Sequence, residues 1–250
     1  VEVNRPAEAM ADRDDLRRRL RRAGLVAQPD KSTAAHLRAY GLAPEVVFDV
    51  GVAEGTPQLY RTFPDAHFVL IDPRPESRKA MTGPAAPARS SFHALALGAA
   101  PGRMELSTPV TKAGAHGGRS SLNRPVGPMA RAITGFDRQM VEVGTLDEVA
   151  AAYPGQAGLK IDTEGHEAEV LAGGAATLLR CQFVILELSL AERFDSTPRP
   201  SRIFAMLAAA GLEFRDILRT TGDGAGGPIP RLIDALFTRW PAPILRPKGA

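Results

Sequence analysis

The sequence predicts an α/β protein built on a doubly wound, mostly parallel sheet. Three observations carry that expectation. Short continuous apolar runs at residues 46–50, 67–71 and 183–188 have the pattern of strands buried on both faces. Stretches with helical spacing separate them, so strands alternate with helices, as parallel pairing requires. The first run also ends in a glycine turn, Gly51-Val52-Ala53-Glu54-Gly55, where such sheets open toward a ligand.

The elements follow in chain order from local chemistry. Residues 12–27 read as a basic helix with Leu16, Leu20 and Leu25 as a sparse apolar stripe; its arginines (Arg17, Arg18, Arg19, Arg21, Arg22) suit a solvated face. A short helix over 32–40 takes Ser32 as N-cap and Gly41 as its stop. These short N-terminal helices form an extension, 1–45, ahead of a domain spanning 46–250. Strand 46–50 is followed by a helix over 57–63, then strand 67–71, closed by Asp72. A helix is expected over 76–81, limited by Pro84 and Pro87. Residues 92–97 make a third strand, and 103–107 a fourth, edge-like one. Strand 159–161 leads through Asp162-Thr163-Glu164-Gly165 into an amphipathic helix with Val170, Leu171, Leu178 and Leu179 as its apolar positions. After strand 183–188 and a helix over 203–210, two strands (214–218 and 232–238) flank a glycine-rich loop, 221–230. A closing pair joined by one loop predicts an antiparallel edge strand on a Rossmann-like sheet. Residues 109–129 show no periodicity, and a structureless lid or binding loop is expected there.

Composition narrows the class of protein. Of 250 residues, 44% are apolar and 24% charged, which excludes a disordered or fibrous chain. The 31 Lys and Arg exceed the 28 Asp and Glu by only three, too few to argue for nucleic acid or a membrane surface as partner. A lone cysteine, Cys181, excludes a disulfide framework. There is no run of about 18 apolar residues, so no membrane insertion is expected. Residues 1–11 are polar where a secretory signal needs an apolar stretch, and a cytoplasmic protein is expected.

Two constellations carry the chemistry. In the first, Gly51 allows the tight turn, Gly55 a close backbone approach, and Asp72, 21 residues after Gly51, a carboxylate for the two hydroxyls of an adenosine ribose. A dinucleotide fingerprint would need glycine at position 53, where the chain has Ala53. The spacing suits S-adenosylmethionine, which has no phosphate to cradle. In the second constellation, Asp162, Glu164 and His166 stand at the carboxyl end of a strand, where open α/β sheets place their chemistry. Acidic residues there also serve as caps for the following helix. Glu187 closes the next strand; with Asp162 it forms a pair able to hold Mg²⁺, to bind substrate hydroxyls, or to place a base.

The turn Asp49-Val50-Gly51, the run Leu159-Lys160-Ile161-Asp162-Thr163-Glu164-Gly165-His166-Glu167 with Val170-Leu171-Ala172-Gly173 after it, and Val184-Ile185-Leu186-Glu187 together resemble the FkbM family of S-adenosylmethionine-dependent methyltransferases. Segments 94–98 and 143–147 are similar to the family's third strand and to its lead into the acidic run. The resemblance implies a class I methyltransferase fold and, most often, O-methylation of a hydroxyl on a sugar, glycolipid or natural product. It implies cofactor contacts at Asp49, Gly51, Gly55 and Asp72, and a functional acidic cluster at Asp162 and Glu164. One departure is Val52-Ala53 where the family often has Ala-Asn, which marks a subgroup that holds the cofactor's amino-acid end differently.

Two routes are open for the acceptor proton: His166 as general base, or a metal on Asp162 and Glu187 that lowers the hydroxyl pKa. The loop bearing Arg119, Ser120 and Ser121 is expected to bind a polyhydroxylated or anionic small-molecule acceptor. A nicotinamide-dependent oxidoreductase is the competing enzyme class; Ala53 and the lack of a Tyr-x-x-x-Lys pair weigh against it. A non-catalytic cofactor-binding module is the third reading.

Overall fold

The computed structural model describes residues 5–26, 29–222 and 230–240. It divides into two compact units, Val1–Asp30 and Lys31–Ala250. Among its described residues the first holds helix α1 (Arg5–Arg22), which starts earlier than the periodicity suggests. Its end has a local cause. Gly24 takes a left-handed φ of +74°, and the Gly24 and Leu25 amides bond back to the Arg21 and Leu20 carbonyls at 3.0 and 2.8 Å.

The second unit begins ahead of the first strand with α2 (Ala34–Arg38), capped by the Thr33 hydroxyl rather than by Ser32. Asp216 holds this segment in place, accepting from Lys31 at 2.6 Å, His36 at 2.8 Å and Tyr40 at 2.8 Å. Then come β1 (Val46–Val50), α3 (Pro57–Thr62), β2 (His67–Ile71), a 3-10 turn over Pro75–Met81, β3 (Ser90–His93) and β4 (Ala96–Leu97). A second group follows: β5 (Gly102–Thr111), β6 (Gly114–Ala115), a 3-10 turn over Gly117–Arg119, α4 (Gly127–Arg131) and β7 (Gly135–Gly144). The chain continues through α5 (Leu146–Ala150), β8 (Ala157–Ile161), α6 (Glu167–Ala172), α7 (Ala175–Leu178), β9 (Cys181–Ser189), α8 (Pro200–Ala209), β10 (Leu212–Gly222) and β11 (Pro230–Arg239). No helix among the described residues is long and apolar enough to cross a membrane.

The main sheet has the order β10-β11-β9-β8-β1-β2-β3. β1 pairs in parallel with both β2 and β8, so the topology reverses at β1 and a crevice opens beyond its carboxyl end. The antiparallel edge is present as a pair: β11 runs against β9 and β10, and β10 is the outermost strand. Pleating sends alternate residues to opposite faces. Val46, Phe48, Val50, Leu159, Ile161, Val184 and Leu186 pack with Leu146, Leu171 and Ile203 in one core. Val47, Phe68, Leu70, Phe183 and Leu236 pack with Leu37, Leu59, Tyr60 and Phe63 in the other.

Four expectations need correction. The 92–97 strand splits: β3 pairs β2, whereas β4 leaves for a second sheet of order β4-β7-β5-β6. The 109–129 segment is not structureless, since β5 continues to Thr111 on its partner β7, and β6, a 3-10 turn and α4 follow. The helix after Gly165 breaks into α6 and α7 at Gly173, where a Cβ would lie 2.1 Å from the Gly98 carbonyl oxygen; Leu179 consequently faces solvent. Residues 76–81 form a 3-10 turn rather than an α-helix. Of the predicted glycine-rich loop, residues 223–229 lie outside the described residues.

Phe183 joins sheet and helix packing. It is fully buried, stacks on Phe63 with centroids 5.1 Å apart, and fills the space over Gly158, where an added Cβ would meet its ring at 2.3 Å. Phe183→Ala is expected to lower unfolding stability by about 3–5 kcal/mol, read as a drop in urea midpoint with unchanged slope.

Candidate active site

The glycine turn after β1 is closed from two sides. Gly51 has φ +76°, and a Cβ there would lie 1.8 Å from the Asp162 carbonyl oxygen, so only glycine permits this approach to the tip of β8. Ala53 also adopts a left-handed φ, +48°, a conformation asparagine tolerates better than alanine. Asp72, buried at the tip of β2, ties the turn to its own strand, accepting from the Ala53 amide at 2.9 Å and the Arg74 amide at 2.9 Å. The Arg74 guanidinium lies 3.3 Å from the same carboxylate.

These residues wall a cleft of about 610 Å³ including its mouth, within the range of small-molecule sites. Gly51, Ala53, Asp72, Ser120, Ser121, Asp162, Glu164 and His166 line it, and Val50, Ile71, Leu95, Leu97 and Leu106 make its apolar walls. The two sequence constellations thus meet in one cavity. His166 is buried, its Nδ1 has no hydrogen-bond partner among the described residues, and burial lowers its pKa below the ordinary histidine value.

Not every expected residue reaches this cleft. Asp49 is fully buried behind the turn, where it accepts from the Tyr60 hydroxyl at 2.9 Å and lies 3.4 Å from Lys160 Nζ. Gly55 packs against Tyr60 and Ala80. Arg119 lines a separate small cavity with Pro125 and Phe136. The Ser120 and Ser121 hydroxyls are already spent on the fold. Ser120 donates to the Gly117 carbonyl at 2.8 Å, and Ser121 to the Glu164 carbonyl at 2.7 Å. Asn123 adds a bond to the Gly165 carbonyl at 2.6 Å, so this loop is stapled to the turn that opens α6.

A second cavity lies on the face of the sheet occupied by α2 and α3. Leu37, Gln58, Lys160, Asp162, Glu187 and Asp234 are among its lining residues, and Asp162 belongs to both cavities. Parity explains the grouping, because Asp49 pairs with Lys160 in register across β1 and β8, and Glu187 with Asp234 across β9 and β11. Lys160 Nζ lies 3.6 Å from Asp162 and donates to the Gly51 carbonyl at 3.3 Å. Burial alone would lower its pKa; Asp49 and Asp162 outweigh that and hold the ammonium above the ordinary lysine range.

Asp162, Glu164 and Glu187 each offer an oxygen within 4.8 Å of the others. That spacing suits a hard cation, but two of the three already share one. Arg193 Nη2 lies 2.6 Å from Glu164, and its Nη1 bonds Glu187. Burial pushes both carboxyls above their ordinary range, Asp162 adds to this, and Arg193 opposes it. Sequence reasoning passed over Arg193 and Arg74. Arg74 follows Asp72 by two positions, a signal that was available; Arg193 lies beyond β9 with no spacing to mark it.

The sequence profile described as the Methyltransferase FkbM domain matches residues 49–218. No curated protein matches the chain. Among solved structures, the FkbM methyltransferase of Methylobacillus flagellatus is 15% identical with a TM-score of 0.49, the match covering 84% of this chain and 48% of that one. This chain therefore spans about half the length of that relative. The magnesium protoporphyrin IX methyltransferase of Synechocystis, solved with bound S-adenosylmethionine, is 13% identical over 82% of this chain and 76% of its own, with a TM-score of 0.43.

The turn opening α6 carries its own pH dependence. Glu167 Oε1 accepts from the Thr163 amide at 3.2 Å, the Thr163 hydroxyl at 3.2 Å and the Gly165 amide at 3.0 Å. Burial nevertheless pushes its carboxyl up to about 7, against the pull of these donors. A raised folded-state pKa means that the folded chain holds the proton more tightly, so this contribution is present at low pH and is lost as pH rises through about 7. Glutamine keeps the accepting carbonyl. Glu167→Gln is therefore expected to shrink the loss of stability between pH 5 and 8 by roughly 2–3 kcal/mol, measured from urea midpoints at both pH values.

Proposed function

The chain belongs to the FkbM methyltransferase family, and from that premise we propose that it transfers the methyl group of S-adenosylmethionine to a hydroxyl of a small polyhydroxylated acceptor, a sugar, glycolipid or natural product. One observation carries this reading: Asp162 lines both the apolar cleft and the carboxylate-rich cavity on the other face.

The cleft fits the cofactor on three counts. Its size and apolar walls suit a nucleoside. Asp72 accepts from the Ala53 and Arg74 amides at 2.9 Å and holds the Arg74 guanidinium only at 3.3–3.5 Å, so ribose hydroxyls would take the places of those longer contacts. His166 Nδ1, buried without a partner, is a polar atom that a ligand in the cleft would satisfy.

S-Adenosylmethionine supplies a methyl carbon on a positively charged sulfur, so the transfer is an in-line displacement governed by alignment. Asp162 stands where the two cavities meet and is the group assigned to accept the hydroxyl hydrogen of the acceptor. Lys160 holds that carboxylate in place from behind. His166 lines the first cavity and is absent from the lining of the second, so it is assigned to the cofactor rather than to the proton. Asp162, Glu187 and Asp234 supply hydrogen-bond acceptors for hydroxyls in the second cavity. Each is paired with a cation, Asp162 with Lys160, Glu187 with Arg193 and Asp234 with Arg219, so the cavity offers paired acceptors for hydroxyls rather than the free cation for anionic acceptors that Arg119 had suggested. A Mg²⁺ ion has the acidic triad in its favour, but its binding would require Arg193 to leave two carboxylates. No step is routed through it.

The test is release of S-adenosylhomocysteine with a panel of hydroxylated acceptors. Asp162→Asn is expected to lower turnover by about 10²–10⁴-fold while leaving S-adenosylhomocysteine affinity within a few-fold. Full turnover in that variant would remove Asp162 from the proton's path. Activity is expected to survive exhaustive chelation; loss to EDTA with recovery on Mg²⁺ would restore the metal reading.

A further inference from the structure

Three carboxylates within 4.8 Å of one another, two of them buried by most of their surface, need a countercharge. The protein supplies it from three sides: Lys160 Nζ lies 3.6 Å from Asp162, Arg219 lies 3.8 Å from Glu187, and among the described residues Arg193 alone bridges two of the carboxylates. Arg193 reaches back from the loop after β9 and directs one guanidinium nitrogen to Glu164 at 2.6 Å and the other to Glu187. Two different carboxylates are therefore bridged by one rigid, permanently charged fork.

The segment carrying that fork is itself held on several sides. The Thr197 hydroxyl accepts from the Arg193 and Phe194 amides at 3.2 and 2.8 Å, and the Arg193 carbonyl accepts from the Val126 amide at 2.8 Å. The guanidinium lies 5.4 Å from the centre of the Phe194 ring. Phe194 in turn packs on the turn that bears Glu164, since a Cβ at Gly165 would meet its ring at 2.5 Å. This side chain has its position set by the fold.

We propose that Arg193 is the bridging cation between Glu164 and Glu187, standing where a divalent metal would otherwise sit, and that it acts as a positioning residue for Glu164 in the wall of the cofactor cleft. Glu164 has a left-handed φ of +52° in a turn whose carbonyls are held by Ser121 and Asn123, and the Arg193 bond fixes its side chain on that backbone. The bridge to Glu187 anchors it to the neighbouring strand. The placement of Glu164 in a cofactor cleft rests on the methyltransferase reading; the assignment of the cation does not.

The experiment uses Mn²⁺ as probe, followed by the loss of its free-ion electron paramagnetic resonance signal on binding. Wild type and Arg193→Lys, which keep a cation between Glu164 and Glu187, are expected to leave Mn²⁺ free. Arg193→Met, of similar length and uncharged, is expected to bind one Mn²⁺ at least ten-fold more tightly than wild type, and the added change Glu187→Gln to abolish that gain. If Arg193→Met does not fold alone, recovery of a cooperative thermal transition on adding Mn²⁺ supports the proposal equally. One Mn²⁺ bound by wild type and lost in Glu187→Gln would overturn it, as would an Arg193→Met protein that gives no Mn²⁺ response, folded or unfolded. None of these readouts requires a methyl acceptor. A protein that fails to bind S-adenosylhomocysteine would sink the proposed function and leave this result standing.

Discussion

The Lys160 ammonium, buried between Asp49 and Asp162, is the contact on which the rest of the site depends. It joins the two central parallel strands at the point where the sheet's topology reverses, and it donates to the Gly51 carbonyl of the turn. A charge in such a place is kept by its partners, and removing one partner of a buried pair typically costs about 3–5 kcal/mol because the other is left uncompensated. The same ammonium thus holds the glycine turn against β8, fixes the carboxylate shared by both cavities, and keeps Asp49 inside the fold. The family resemblance implies a cofactor contact at Asp49; in the structure its carboxylate is fully buried between Tyr60 and Lys160 behind the turn.

The pleat of the sheet then distributes the chemistry. Asp49, Lys160, Glu187 and Asp234 occupy equivalent parity on four neighbouring strands, so their side chains gather on one face beside the carboxyl ends of β1, β8 and β9. Asp162 continues that parity just past the end of β8 and stands where this polar face meets the apolar cleft. Two chemically different compartments therefore share one carboxylate.

Much of this was legible in the sequence, for definite reasons. Strands buried on both faces announce themselves as unbroken apolar runs, and β1, β2 and β9 were placed that way. Gly51, Asp72, Asp162, Glu164 and His166 stand at strand ends, where local pattern and topology agree, and the structure brings all five to one cleft. What escaped depends on long-range packing. β7 shows little alternation because residues 137–140 are exposed, so it gave no strand signal, and the second sheet showed in the sequence only as the strand over 103–107 and the end of 92–97. The break between α6 and α7 is set by the approach of Gly98 to Gly173, 75 residues apart in the sequence. Arg193 carries no periodic signal at all, and only the fold brings it to Glu164 and Glu187. Ser120 and Ser121 looked like donors for an acceptor because sequence does not show that backbone carbonyls already use them.

The central claim is that the cleft beyond β1 holds an adenosine-bearing cofactor by its ribose at Asp72. Calorimetric titration of wild type and Asp72→Ala with S-adenosylhomocysteine, with NAD as control, tests it most directly. The account predicts one S-adenosylhomocysteine bound per chain, no binding of NAD, and an affinity at least ten-fold weaker in Asp72→Ala, a loss of about 1.4 kcal/mol or more. Binding of NAD in place of S-adenosylhomocysteine, or equal affinity in the variant, would contradict it.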